Sequence, residues 1–208
     1  MKKITSILIL TLLFVFCYSP AAAIAKDNYV VIKAGKYMPT GDLDDFDNAF
    51  LGELAFGHNF TPNFGVEFGI GHFETEASYS GYNVYLGNWS ETDKASVTPV
   101  TVTARGIVPV EKVSLYAGIG VGIYFVKGEA DLTSEAVNLS LDDDDQVPGI
   151  HALVGIEYNF TPEAFIGIEA KHTWTDDAEF SGSINGIPLE VKTNLNGYNI
   201  AAKVGFRF

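Results

Sequence analysis

The sequence predicts an all-β fold: eight long antiparallel strands that close into an up-and-down transmembrane β-barrel behind an N-terminal signal peptide. Three observations lead to this fold class. An apolar segment near the N-terminus ends in small residues, no later segment contains a run of about 18 apolar residues, and the rest of the chain alternates apolar and polar residues. Alternation with a period of two, sustained over about ten residues at a time, is typical of membrane-crossing strands.

The first 25 residues have the pattern of a signal peptide. Two lysines precede an apolar run over residues 4–18, and Ala23 and Ala25 supply the small residues that a signal peptidase requires. We therefore expect cleavage between Ala25 and Lys26. Residues 26–208 would then form a single barrel domain in the mature protein.

Cleavage would leave a strongly acidic chain without cysteine. The only cysteine, Cys17, lies in the signal peptide, which excludes disulfides, thiolate metal sites and a cysteine nucleophile from the mature protein. The mature chain would contain 11 basic and 26 acidic residues, a net charge of −15. Without a basic stripe to contact phosphates, the composition excludes nucleic acid as a partner.

Eight segments carry the alternation, and an even number of strands suits a single-chain bacterial barrel. In chain order the predicted strands are Tyr29 to Tyr37, Ala49 to Phe60, Asn63 to Thr75, Ala95 to Val108, Val113 to Lys127, Val147 to Phe160, Glu163 to Trp174, and Leu195 to Phe208.

The connections between these strands alternate in length. Tight turns are predicted at 61–62, 109–112 and 161–162, and long loops at 38–48, 76–94, 128–146 and 175–194. Short periplasmic turns and long outer loops produce this asymmetry in membrane barrels.

The last strand shows most clearly which side chains face lipid. Its even-numbered residues from Ile200 to Phe208 are apolar, whereas its odd-numbered residues include Asn199, Lys203 and Arg207. The fifth strand alternates in the same way, and its inward glycines predict a narrow interior. A soluble lipocalin-like barrel would place the apolar face inside, so parity alone leaves that alternative open.

Charge favours the membrane barrel over the soluble one. Charged residues are nearly absent from the apolar faces, and aromatic residues near the turns resemble an interfacial girdle at Phe60, Phe64, Phe160 and Phe208. The inward faces are predicted to carry five cations and four carboxylates: Lys33, Glu53, Glu67, Arg105, Glu157, Glu169, Lys171, Lys203 and Arg207.

These inward charges are the first candidate functional group. Four of them lie four to five residues from a turn or terminus and should form one layer, and ion pairs are expected for Glu67 with Arg105, Glu157 with Lys171, and Glu169 with Lys203. An eight-stranded interior is just wide enough to be filled by such side chains, so we expect a polar plug. Gated conduction or a lumenal ligand is the alternative.

Two acidic segments form the second candidate group, one at residues 42–47 and one at 142–145, both on the predicted outer side. Alternate aspartates resemble a calcium-binding loop, but the required glycine and distal glutamate are missing. We therefore predict an acidic surface without a metal site, with cation-bridged contact to lipopolysaccharide as the alternative.

Two single residues test the barrel interpretation. His172 is the only suggestive catalytic position, yet no nucleophile and orienting acid accompany it, so no catalytic residue and no cofactor are predicted. Pro99 falls inside the fourth strand, where it removes a ladder hydrogen bond. We expect it to mark a bulge or the start of the membrane-embedded part.

The chain resembles the small outer-membrane β-barrel family that includes the OmpA transmembrane domain and porin-like proteins. The resemblance lies in VIKAGKYMPTGDL near the start, in the hairpin GHNFTPNFGVEFGIGHF, and in the terminal YNIAAKVGFRF. It implies a location in the bacterial outer membrane, in contact with its lipid and lipopolysaccharide. It also implies that the barrel assembly machinery reads the C-terminal strand through Tyr198, Ile200, Val204, Phe206 and Phe208.

These observations predict an integral membrane protein with a structural or surface-interaction role rather than an enzyme. The plugged lumen and the long outer loops support that role. A narrow porin or small-molecule channel is the alternative, and it would require the inner charges to leave a continuous water path.

Overall fold

The computed structural model describes residues 27–85, 87–135, 138–184 and 187–208. The predicted signal peptide, and the cleavage between Ala25 and Lys26, lie outside the described residues. Within the described residues no helix is long and apolar enough to cross a membrane.

Eight strands close a barrel in which every neighbouring pair is antiparallel, which confirms the predicted fold class. The chain's last strand returns to pair with the first, so that Lys33 lies opposite Lys203. The barrel strands are β1 (Asn28–Pro39), β2 (Ala49–Thr61), β3 (Phe64–Asn83), β4 (Gly87–Val110), β5 (Val113–Ser134), β6 (Asn138–Asn159), β7 (Ala164–Thr175) and β10 (Gly197–Arg207). A short 3₁₀ helix, η1 (Gly41–Leu43), follows β1, and a separate hairpin, β8 (Asp177–Ile184) with β9 (Ile187–Asn194), follows β7.

The faces of the strands follow the predicted parity. On β10, Ile200, Val204 and Phe206 are each about half exposed, whereas Asn199 and Lys203 are buried inside the barrel. On β5, Ile119 and Val121 face outward, and Tyr116 and Tyr124 face inward. An apolar exterior around a polar interior is the arrangement that lipid demands, because only the outward side chains of a closed barrel contact the hydrocarbon.

The prediction of long loops at residues 76–94 and 128–146 is wrong, because both segments are largely strand. β3 and β4 stay paired up to Asn83 and Gly87, and β5 and β6 stay paired up to Thr133 and Asn138. The result is a four-stranded extension of the barrel wall, formed by residues 74–83, 87–96, 127–134 and 138–146. Ten residues of strand beyond the apolar band correspond to about 30 Å.

The sequence pattern missed this extension because both of its faces are largely polar. Outward positions such as Ser78, Thr92 and Asp131 alternate with inward ones such as Asp93 and Glu91, so hydrophobicity has no period of two there. The backbone ladder nevertheless continues into water. The fourth predicted loop, residues 175–194, likewise contains the β8–β9 hairpin.

Pro99 does not mark a bulge, because the register between β3 and β4 is the same on both sides of it. A start of the membrane-embedded part of β4 after Pro99 stays a prediction. Ile70 pairs with Val100 and Phe73 with Val97 in one register, and the ladder is interrupted only between these pairs. The missing N–H of Pro99 therefore faces β3. A side-chain hydrogen bond of 3.2 Å between His72 Nδ1 and Thr98 Oγ1 joins the two strands at the interruption.

Candidate functional site

Seven barrel strands direct the nine predicted charged side chains into the lumen, where all except Arg207 are at least 93% buried. Lys33 on β1 lies among three carboxylates. Its Nζ is 2.8 Å from Glu53 Oε1, 2.7 Å from Glu67 Oε1 and 2.8 Å from Glu169 Oε1. One ammonium group therefore joins β1 to β2, β3 and β7 across the lumen.

Arg105 on β4 forms a second centre, closer to the short turns. Its Nη1 lies 2.9 Å from Glu67 Oε2, and its Nη2 lies 2.5 Å from Glu157 Oε1. Arg105 and Glu67 also both bind the Tyr29 hydroxyl, which donates to Glu67 Oε2 over 2.7 Å. Because Glu67 also binds Lys33, the two centres form one continuous network.

Glu157 on β6 connects three cations. Besides Arg105, its carboxylate accepts Lys203 Nζ at 2.7 Å and Arg207 Nη2 at 2.9 Å. The guanidinium carbon of Arg105 and the ammonium nitrogen of Lys203 each lie 4.0 Å from the centre of the Tyr116 ring, which supplies cation–π contacts from β5, the one barrel strand that contributes no charged side chain to the network.

One predicted ion pair is wrong. Lys171 does not bind Glu157; its Nζ lies 2.7 Å from Glu53 Oε2 on β2, across the lumen. The two other predicted partners meet: Arg105 contacts Glu67 at 2.9 Å, and Lys203 Nζ lies 3.8 Å from Glu169 Oε2. The alternation of a strand shows which side chains point inward, but not which of them meet. In so narrow a barrel, a side chain on the opposite wall is as close as one on the neighbouring strand.

Five cations face four carboxylates in a space from which most water is excluded. Removing charges from water costs several kcal/mol for each ion, and only close partners and additional hydrogen bonds offset that cost. The network meets this condition, since each carboxylate binds at least two cations at 4 Å or less. Such an arrangement holds opposite strands of the barrel at fixed distances.

Above the network an apolar lid crosses the outer end of the lumen, a feature that the sequence interpretation missed. Leu43 from η1 and Ala178 from β8 enter this end and pack against inward side chains of the barrel wall. The lid consists of Tyr37, Leu43, Ala49, Leu51, Phe73, Val97, Tyr124, Val126, Val147, Ala178 and Leu195, with Phe46 and Phe180 packed against it. The only sequence signal was isolated apolar residues in two otherwise polar loops.

Hydrogen bonds attach the lid to the barrel. The Tyr37 hydroxyl donates to the carbonyl of Leu195 over 3.1 Å, and its ring stacks on Phe73 with 4.1 Å between centres. Asp42 Oδ2 accepts the backbone N–H and the side-chain amide of Asn194, which joins η1 to β9. The lumen is thus filled by apolar side chains at its outer end and by ion pairs below.

The aspartate run 142–145 is part of β6 and not of a loop. Asp142 and Asp144 face outward, whereas Asp143 Oδ2 accepts the N–H of Ser181 at 2.7 Å and Asp145 Oδ2 accepts that of Glu179 at 3.0 Å. The alternation of a strand separates neighbouring carboxylates onto opposite faces. In the part of the chain that the structure describes, no group of three His, Cys, Asp or Glu side chains is placed to hold a metal ion.

The remaining candidates lie on the exterior. His172 stacks on Tyr198, with 4.1 Å between ring centres, and meets Trp174 edge to face. Both contacts suit an aromatic position at a membrane interface. Phe60, Phe64 and Phe160 are exposed near the short turns, and the five residues of the predicted assembly signal all face outward: Tyr198, Ile200, Val204, Phe206 and Phe208.

Comparison with known proteins agrees with this architecture. A family model described as "Outer membrane protein beta-barrel domain" matches residues 8–208. No curated protein sequence matches the chain.

Solved structures share the fold at low sequence identity. OprG, an outer membrane protein of Pseudomonas aeruginosa, superposes with a TM-score of 0.63 at 13% identity, covering 88% of this chain and 96% of that one. A major outer membrane protein of Thermus thermophilus gives a TM-score of 0.58 at 16% identity, covering 88% and 98%. Neisserial surface protein A gives 0.56 at 13% identity, covering 90% and 100%.

Proposed function

Because the chain belongs to the outer membrane protein beta-barrel domain family, we propose that it serves the bacterial outer membrane as a non-catalytic structural or surface-interaction protein with a closed lumen. The observation that carries this proposal is the stacking of two barriers. The ion-pair network around Lys33 and Arg105 fills the lower lumen, and the apolar lid lies across its outer end.

The four-stranded extension supports a surface role. It continues the barrel wall by about 30 Å at the end opposite the short turns, which is the end that faces outward in bacterial barrels. Its outward face is polar, including Ser78, Thr92 and Asp142. A tall, hydrophilic wall of this kind gives a membrane barrel a surface that other molecules can reach.

Lipid, lipopolysaccharide and the barrel assembly machinery are the proposed partners in the membrane. Exposed apolar side chains such as Ile119 and Ile168 cover the barrel exterior and suit lipid chains. The acidic residues above them suit cation-bridged contact with anionic lipopolysaccharide. The outward, alternating residues of β10 that end at Phe208 suit recognition of the last strand by the assembly machinery.

Single-channel recording in planar bilayers tests the closed lumen. The refolded mature protein is compared with a Glu67→Gln, Arg105→Gln double variant, after protease protection has established insertion of both. We expect no discrete conductance steps from the wild type, because the lid stays in place above the network. Discrete steps from the wild type, with an ion selectivity that the double variant alters, would replace this proposal with the narrow-channel function.

A further inference from the structure

The upper part of β3 is an open sheet edge. β2 pairs with β3 only as far as Leu51 opposite Phe73, and the next contact is a hydrogen bond of 2.8 Å from the N–H of Asp47 to the carbonyl of Glu76. Backbone groups of alternate residues point to the same side of a strand. The N–H and C=O groups of Ser78, Ser80 and Tyr82 therefore point away from β4, and no backbone partner for them lies within the described residues.

This edge lacks the devices that normally block strand addition. Residues 77–83, with the sequence ASYSGYN, include no charged residue and no proline, and they pair with β4 without a bulge. The opposite edge of the extension, on β6, carries four consecutive aspartates at 142–145. An added strand would have to desolvate those carboxylates, whereas along β3 it meets serine, tyrosine and glycine.

The charge around the open edge selects the kind of partner. Residues 40–48, 74–96, 127–146 and 175–196 contain 19 of the 26 acidic residues and only three lysines. Lys127 binds Glu129 at 2.5 Å, and Lys192 binds Glu179 at 2.6 Å. The extension and its neighbouring loops therefore attract cations and repel a second copy of the same surface.

Carboxylates converge beside the edge itself. Tyr79 lies directly opposite Glu91 on β4, and Ala77 lies opposite Asp93. Desolvation raises the pKa of the Tyr79 hydroxyl, and the negative charges of Asp45, Asp93 and Glu91 raise it further. Trp89 adds an aromatic surface, since its ring lies against Gly81. Aromatic rings beside carboxylates bind ammonium and guanidinium groups.

We propose that the open edge of β3 at residues 77–83 is a strand-addition site for an extended, positively charged polypeptide. The added strand would hydrogen-bond to Ser78, Ser80 and Tyr82, as in other cases of β-augmentation. Its lysine or arginine side chains on the inner face would meet Glu91, Asp93 and the rings of Tyr79 and Trp89. This inference rests on the proposed function, because the extension has to face the outside of the cell.

The test uses the refolded mature protein in nanodiscs and a synthetic ten-residue peptide that alternates lysine with valine or threonine. A matched peptide with glutamate in place of lysine is the charge control. Fluorescence anisotropy measures affinity, and hydrogen exchange measures protection of the amides of Ser78, Ser80 and Tyr82. We expect the basic peptide alone to bind, with protection at these three amides and weaker affinity at high salt.

Two substitutions at one position separate backbone pairing from general attraction. Ser80→Pro removes an N–H that faces the open edge and leaves the pairing with β4 intact, whereas Ser80→Ala keeps the N–H. We expect about tenfold weaker binding for Ser80→Pro, the equivalent of one lost hydrogen bond, and unchanged binding for Ser80→Ala. Equal binding by both variants, or by the acidic peptide, would overturn the proposal.

A second copy of the chain is the competing occupant. Dimers of the wild type that cross-link through β3, and that Ser80→Pro abolishes, would assign the edge to self-association and overturn the choice of a cationic partner.

Protease cleavage of the β3–β4 hairpin on intact cells tests the orientation of the barrel separately. Cleavage without peptide binding contradicts only this inference, whereas a protected hairpin contradicts the proposed surface function itself.

Discussion

Lys33 has more carboxylate partners than any other cation in the network, because its ammonium group lies within 2.8 Å of Glu53, Glu67 and Glu169. Replacing it with an apolar residue would leave each of these carboxylates with a single cation: Glu53 with Lys171, Glu67 with Arg105, and Glu169 with Lys203 at 3.8 Å. A buried ion left with too few partners is far more costly than an intact pair. The lysine therefore stabilises the barrel by neutralising charges that the other strands bring together.

The Lys33→Met variant should be about 3–5 kcal/mol less stable than the wild type, the usual cost of removing one partner of a buried ion pair. Urea-induced unfolding in phospholipid vesicles measures this difference. Lys36→Met is the matched control, because Lys36 lies three residues further along the same strand and therefore faces outward. Equal stabilities for the two variants would show that the network does not stabilise the barrel.

Parity alone located the buried charges but not all of their partners. Strand alternation placed the nine charged residues of the network on inward faces, since a one-residue change in parity would have placed ions in lipid. It could not identify the pairing of Lys171 with Glu53, because these residues are on β7 and β2, which are not neighbours in the sheet. Contacts across a lumen depend on the position of each residue along the barrel axis and on the conformation of its side chain. Neither of these produces a periodic pattern in the sequence.

The turn between β4 and β5 contains a residue in an unfavourable backbone conformation. Glu111 has a φ of 54°, the only positive value outside glycine among the described residues. Val110 pairs with Val113, so Glu111 and Lys112 form a two-residue hairpin connection. Turns of this length favour glycine at positions with positive φ.

Glu111→Gly should stabilise the barrel by up to about 1 kcal/mol, because glycine adopts a positive φ without steric cost. Lys112→Gly is the control, since Lys112 has no positive φ to relieve, and it should lower stability by about 0.5–1 kcal/mol through added freedom of the unfolded chain. Urea unfolding of the two variants measures both effects. A loss of stability in Glu111→Gly would contradict this account of the turn.

The β8–β9 hairpin is attached to the wall by carboxylates that the sequence interpretation placed in a loop. Asp143 and Asp145 accept the N–H groups of Ser181 and Glu179, whereas Asp142 and Asp144 face away. The hairpin also brings Ala178 into the lid. A break in its attachment would therefore loosen the outer closure of the lumen.

The double variant Asp143→Asn, Asp145→Asn should loosen the attachment of the hairpin to β6, because a neutral amide oxygen is a weaker acceptor than a carboxylate. Faster hydrogen exchange at the amides of Glu179 and Ser181 is the expected result. Asp142→Asn, Asp144→Asn removes the same amount of charge from the outward face and should leave that exchange unchanged. Similar acceleration in both variants would indicate a general charge effect.

At the scale of the whole molecule, the barrel was predictable and its outer half was not. Lipid imposes apolar residues on one face of every strand, and that requirement fixed the number, order and faces of the eight strands. The family match over residues 8–208 agrees with the resemblance seen in the terminal sequences. The residues beyond the apolar band do not have to present an apolar face to lipid. The alternation of apolar and polar residues therefore predicted neither the paired extension nor the lid.

The two halves of the molecule place opposite demands on charge. In the lumen, cations and carboxylates are nearly balanced and in contact. In the outer segments, acidic residues outnumber lysines 19 to three, and water screens them. The buried charges therefore contribute to the stability of the barrel, and the exposed ones determine which molecules approach it.

The terminal strand links this architecture to assembly. Phe208 is exposed beside the short turns, and its ring lies 6.3 Å from that of Phe56, centre to centre. Its side chain adds little to the closed barrel beyond contact with lipid. If the assembly machinery reads the last strand, the importance of Phe208 should appear in cells and not in refolding.

Phe208→Ala should therefore lower the amount of assembled protein in the outer membrane while leaving refolding into detergent or lipid unchanged. Heat-modifiable migration on gels measures the folded fraction in both settings. Phe160→Ala is the matched control, because Phe160 is similarly exposed at the same rim but lies outside the terminal strand. If both variants assemble equally well in cells, the aromatic terminus is part of the interfacial girdle alone and carries no separate assembly signal.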